Sequence, residues 1–146
     1  MEEIAKIILS AKRRRFLLNR PVYKLHQSTS EAELFRMATS FNFKFTLGLS
    51  KWLRLAGYGD IDDALIFREE YFSKIDGGPL GSLVSFARDS AGNLFAFSEI
   101  DGIIYFIHQA DLTKIRLSDS FASFFQEFIR RDFQLTDWIS EIYRVK

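Results

Sequence analysis

Hydrophobic positions along this chain switch between two spacings, and the switches divide it into elements. Residues 83–88, 94–98 and 103–108 are short runs rich in β-branched and aromatic side chains, the types that suit a pleated, half-buried surface. They predict three strands. Gly92 and Asn93 sit between the first two, and Asp101-Gly102, a dipeptide that favours a type I′ hairpin, sits between the second and third. An antiparallel meander follows. Phe121, Phe124, Phe125, Phe128 and Ile129 then recur every three or four residues, which places them on one face of a helix that Ser118 is expected to cap. That helix should lie on one face of the sheet.

The same spacing appears earlier. Ile4, Ile7, Ile8, Ala11 and Leu18 suggest a helix over residues 2–18 that ends before Pro21, with Glu2 and Glu3 at its positive end and Lys12-Arg13-Arg14-Arg15 towards its negative end. Residues 21–29 are polar and turn-prone, and Ser30 with Glu33 then forms a capping box ahead of a helix carrying Leu34, Met37, Ala38 and Phe41. A further helix over 49–56 puts Leu49, Trp52, Leu53 and Ala56 on one face and stops at Gly57. Residues 59–63 read as a flexible acidic stretch. Residues 64–71 fit either an edge strand followed by a helical turn or a helix throughout. The cluster Asp76-Gly77-Gly78-Pro79-Leu80-Gly81 reads as a bend feeding the first strand, since it matches neither phosphate-binding glycine pattern. Thr136-Asp137 should cap a short closing helix containing Trp138, Ile139 and Ile142.

Composition narrows the class. With 146 residues, 47% hydrophobic and 16 phenylalanines, the chain has enough apolar surface for one domain with a core of its own. It has no cysteine, which removes disulfides, thiol nucleophiles and thiolate metal sites. The net charge is +1, the apolar runs are shorter than a membrane span, and Met-Glu-Glu lacks the basic start of a signal peptide. A cytoplasmic location with no membrane partner is expected. The run Lys12 to Arg15 is accounted for as the basic last turn of its own helix, so nucleic acid is not an expected partner.

Catalytic chemistry finds no foothold. His26 and His108 each lack a second histidine at ligand spacing, and no serine has a nucleophile-elbow context. The acidic pairs Asp62-Asp63 and Glu69-Glu70 are adjacent in sequence and carry no sign of burial. The residues therefore describe a non-catalytic α+β domain without cofactor or metal.

Several stretches in order resemble the SUKH superfamily, which includes the fungal Smi/Knr cell-wall regulator domain and many bacterial immunity proteins. The similarity spans about residues 30–143 and is carried by 49–60, by Val84-Ser85-Phe86-Ala87-Arg88-Asp89-Ser90-Ala91-Gly92-Asn93-Leu94, by 104–108 and by 118–124. The turn motif is the most specific part. The chain departs from many relatives in having Gly48 after Leu47 and Ile107 before His108. Motif positions fall on Trp52, Gly57, Asp89, Gly92 and Asn93, all of which also have folding roles. The resemblance implies a single SUKH-like domain over 1–146, with residues 1–20 an additional helix outside the similarity.

It also implies a protein-binding role, in bacteria the neutralisation of a cognate toxin, often a nuclease. A regulatory or scaffold domain with a cellular partner is the alternative, and a hydrolase using the acidic loops ranks third. An inhibitor of a nuclease gains association rate from carboxylates facing a basic surface. The candidates are Asp60, Asp62 and Asp63, then Glu99 and Asp101, then Asp111, in three loops; for each one, solvation of a turn is the competing account.

Overall fold

A computed structural model of the chain describes residues 1–15 and 18–145. The meander is present as β7 (Ser82–Arg88), β8 (Leu94–Ser98) and β9 (Ile104–Ile107), and it belongs to a larger antiparallel α+β assembly. Strand order is β10 (Lys114–Ser118), β9, β8, β7, β5 (Leu65–Ile66), β4 (Tyr58–Ile61) and β3 (Tyr23–Gln27), with β6 (Ser73–Asp76) beside the first half of β7. All pairings are antiparallel. The helices are α1 (Glu2–Ser10), α2 (Glu31–Phe41), α3 (Leu49–Ala56), α4 (Phe121–Arg130) and α5 (Thr136–Val145).

The phenylalanine helix is the centre of the core. Phe121, Phe124, Phe125 and Phe128 are fully buried, and their rings meet Phe86 and Phe95 from the sheet and Trp138 from α5. Trp52 of α3 stands edge-on to Phe125 with centroids 4.8 Å apart, so α3 and α4 share one aromatic layer. A bulge in β7 between Ser85 and Ala87 lets Phe86 and Ala87 both face that layer. On the opposite face, Leu83, Ala96, Tyr105 and Ile107 bury a second, smaller cluster.

The closing glycine of α3 holds, and the Ser30 capping box forms only its Ser30 half, Glu33 Oε2 accepting from the Thr29 hydroxyl instead. Ser30 Oγ accepts from the Glu33 N–H at 3.2 Å, and Gly57 closes α3 at φ 73° with its N–H bonded to the Leu53 carbonyl. The turn before β8 is as expected. Gly92 has φ 87°, and Asp89 accepts from the Ala91 and Asn93 amides and from the Asn93 side chain.

Several expectations are corrected. The first helix ends at Ser10 rather than 18: Lys12–Arg15 forms β1, paired with β2 (Leu18–Pro21), and Leu18 is exposed; Phe16 and Leu17, within the expected helix, lie outside the described residues. Four consecutive cations in one helical turn would crowd like charges, whereas an extended ribbon divides them between two faces. The polar stretch 21–29 contains β3, an edge strand whose side chains after Tyr23 are exposed, so no alternation marks it.

Residues 58–61 are a strand, not a loop. Asp62 and Asp63, both at positive φ, form the tight turn into β5, the arrangement that had been expected at Asp101-Gly102; there only Gly102 has positive φ, within a four-residue turn. Residues 64–71 resolve as β5 and a 3-10 turn at Glu69–Tyr71, with β5 interior to the sheet order rather than at its edge. Strands β6 and β10 were not foreseen. Ser118 ends β10, and the α4 cap is Ser120, whose Oγ accepts from the Ser123 N–H while Ser123 Oγ accepts from the Ser120 N–H. Thr136 and Asp137 stand in the first turn of α5 rather than before it.

Candidate interaction surface

Register divides the sheet into two ends. Ile66 pairs with Arg88, Arg88 with Leu94, Leu94 with Ile107 and Ile107 with Lys114, so the 62–64, 89–93 and 108–113 turns share one end. The 99–102 turn lies at the other.

Beside the 99–102 end, α2, α3 and the segment 42–45 enclose a groove of about 900 Å³. Its construction is local. Asn42 ends α2 in the left-handed conformation at φ 55°, which turns the chain so that Phe43 stacks on Phe72 at 5.9 Å and meets Phe45 edge-on at 5.1 Å. Lys74 Nζ, reaching from β6, bonds the Asn42 carbonyl at 2.8 Å and pairs with Glu99 at 3.1 Å, which ties the sheet to this segment. Burial alone would raise the Glu99 carboxyl, but hydrogen bonds from Ser82 and Lys74 and the Lys74 charge outweigh it and hold it below the usual carboxylate range. Arg54 lies 3.5 Å from Glu31 across the other wall.

Of the large exposed apolar side chains, Phe35 lines this groove, while Leu47 and Ile100 stand beyond it. Phe35 on α2 is 72% exposed, Leu47 92% and Ile100 73%. Thr46 lies against Gly102, so the 42–48 segment and the 99–102 turn are neighbours, while the Ile100 side chain lies against Gly81. None of the three contributes to the core. Phe35 was legible as a phenylalanine off the three-and-four stripe of α2; Lys44, Lys74 and the groove itself depend on contacts distant in sequence.

A second cavity of about 520 Å³ lies at the opposite end, among Asp62, Asp63, Asp89, His108 and Tyr143. Two of its polar groups, Asp89 and His108, are engaged within the fold. Asp89 holds its own turn, and His108 Nδ1 accepts from the Ala110 N–H at 3.3 Å and stands 3.6 Å from Asp111. Among the described residues, no group of three or more His, Cys, Asp or Glu is placed to hold a metal ion.

The six acidic candidates do not converge on one face. Asp62, Asp63 and Asp111 share one end, while Glu99 and Asp101 lie at the other. Asp60 pairs with Arg68 at 2.7 Å, Asp62 with Arg13 at 2.9 Å and Glu99 with Lys74. The Asp101 and Asp111 carboxylates accept from the Ile103 and Thr113 amides, and hydrogen bonds from Thr113 hold the Asp111 carboxyl below its ordinary value. Turn chemistry and ion pairing thus use most of these carboxylates. Trp52, Gly57, Asp89, Gly92 and Asn93 have folding roles: Asn93 Oδ1 accepts from the Gln109 amide, and Tyr23 donates its hydroxyl to the Ala56 carbonyl beside Gly57.

Compared with family models, curated proteins and solved structures, the chain has no match in any of the three. No helix among the described residues is long and apolar enough to cross a membrane.

Proposed function

We propose that the chain is a non-catalytic protein-binding domain that uses the α2–α3 groove, and that its partner is a toxin domain neutralised in the complex. The observation that supports binding at this place is Phe35, 72% exposed on the wall of an open groove, with exposed Leu47 in the adjoining segment 42–48. Exposed apolar groups in a cluster cost solubility and return nothing to the core, whereas buried under a partner they are the side chains that anchor an interface. The toxin as partner rests on the SUKH resemblance alone. Regulation through a cellular protein is the second reading and would use the same groove.

The test is neutralisation. The chain is coexpressed with a panel of nuclease-toxin domains, and binding and survival are compared with a Phe35→Asp, Leu47→Ser variant. Both side chains are outside the core, so thermal unfolding should stay within about 0.5 kcal/mol of wild type while binding and protection are lost. A variant that protects as well as wild type removes the groove from the reading. A wild-type chain that neither binds nor protects places the regulatory reading first.

A further inference from the structure

The ribbon formed by β1 and β2 stands apart from the eight-stranded sheet and is strongly basic. Residues 11–27 hold six of the chain's 20 Lys and Arg and none of its 19 acids. Register distributes the charge over both faces. Lys12 and Arg14, opposite Pro21 and Asn19, point to one side; Arg13 and Arg20, directly opposite each other, point to the other.

Among the described side chains of the ribbon, Arg13 is the cation that the fold uses. Arg13 reaches Asp62 at 2.9 Å and Asp132 at 3.3 Å, which anchors the ribbon to the turn between β4 and β5 and to the segment after α4. Lys12, Arg14 and Arg20 are exposed, and among the described residues none of them has an acid within ion-pair distance. Arg20 also faces Arg13 across the strands, a like-charge pairing that weakens a ribbon already marginal at two strands. Asp62 and Asp132 supply anions to the Arg13 face, whereas Lys12 and Arg14 on the other face and the exposed Arg20 have none among the described residues.

We infer that this ribbon is a docking arm for double-stranded DNA, lying in the major groove with Lys12, Arg14 and Arg20 against backbone phosphates while Arg13 holds the ribbon to the body. The dimensions agree: a two-stranded ribbon fits a groove about 12 Å wide, whereas the major groove of duplex RNA is too narrow to admit one. Arginine, which supplies most of the charge, makes forked hydrogen bonds to phosphate. A membrane-lying element would need its cations on one face and an apolar surface on the other, and the described ribbon has cations on both. This inference is independent of the groove beside α2, which is at the other end of the sheet.

The experiment is fluorescence anisotropy with a labelled mixed-sequence DNA duplex, the RNA duplex of the same sequence, and pelleting with phosphatidylserine vesicles. Wild type should bind the DNA saturably at about 50 mM salt, and its affinity should fall steeply towards about 200 mM. A Lys12→Gln, Arg14→Gln, Arg20→Gln variant should lose at least about tenfold in affinity and flatten the logarithmic salt dependence by about 2 to 3, close to 0.9 for each phosphate contact removed. Its melting should be no lower than that of wild type. Lys114→Gln, Arg116→Gln on β10, at the far edge of the sheet, should bind as wild type does. If the triple variant does not fold, Arg14→Gln and Arg20→Gln tested singly should each weaken binding and lower the slope. No DNA binding by wild type at low salt overturns the inference, as does unchanged binding by the ribbon variants. Equal affinity for the RNA duplex, equal loss in the β10 variant, or capture by vesicles with no affinity for DNA overturns it as well.

Discussion

The two ends of the sheet are held by different forces. At the 99–102 end, ring contacts among Phe43, Phe45 and Phe72 carry the packing, and exposed Phe35, Leu47 and Ile100 remain over. At the 62–64 end, charged contacts dominate: Arg13 with Asp62 and Asp132, and Glu127 with Arg130, Arg131 and, through Arg131, Glu141. Apolar contacts leave apolar residue to spare, and ionic contacts leave cations to spare. Each end therefore leaves different chemistry for its proposed partner, apolar side chains at the groove and cations at the ribbon.

Helix α4 connects the ends. Phe121 at its start lies beneath Gly48, and Arg130 and Arg131 at its finish lie beside Asp132. Phe124, midway, touches the rings of Phe95, Phe125, Phe128 and Trp138. Phe124→Ala should cost about 3–5 kcal/mol and loosen both ends together. Urea unfolding followed by probes at each end measures this; a cooperatively folded variant of near wild-type stability would contradict a shared core.

A smaller effect should be confined to the charged end. Gly92 has φ 87°, and a Cβ there would come 2.9 Å from Gln109 Oε1, the movable end of a side chain. Backbone strain therefore dominates, and Gly92→Val should cost about 1–3 kcal/mol. Hydrogen exchange should quicken first in the 89–93 and 108–113 turns and last around Phe43 and Phe72.

The smallest effect separates the ends by pH. Hydrogen bonds from Arg130 and then Arg131 hold the Glu127 carboxyl down to about 2, from an ordinary 4.5. Because the folded value lies below the unfolded one, the stabilisation is present above the unfolded value and is lost as the pH falls towards the folded one. Glu127 is partly exposed, so solvent screening keeps the contribution modest. The melting difference between wild type and Glu127→Gln should be present at about pH 5 and vanish by about pH 2, with the groove end unaffected. A difference that is constant with pH would mean that the network does not support this end.

Much of the fold was legible along the chain, because its signals lie within a few residues of one another. The phenylalanine spacing marked α4, Ser30 with Glu33 marked the start of α2, Gly57 marked the end of α3, and the Asp89–Asn93 turn marked the passage from β7 to β8. The α+β class and the meander follow from those alone. Strand β10 carries a readable alternation, Lys114-Ile115-Arg116-Leu117, with Ile115 buried, whereas β3 and β6 were not legible, since each is short and mostly solvated, with few side chains in the core. A strand of that kind has no hydrophobic period to read.

Charge was the least legible property of all. The run Lys12 to Arg15 has the same composition in a helix or a ribbon, and whether Arg13 meets Asp62 and Asp132 depends on residues 49 and 119 positions away. Local order and the periodicity of burial were determined by the sequence by itself, because propensity, capping and turn geometry act over three or four residues. Tertiary structure alone decided which carboxylates are spent in ion pairs, which apolar groups stay outside the core and which cations face solvent, because each of those is a contact between distant parts of the chain.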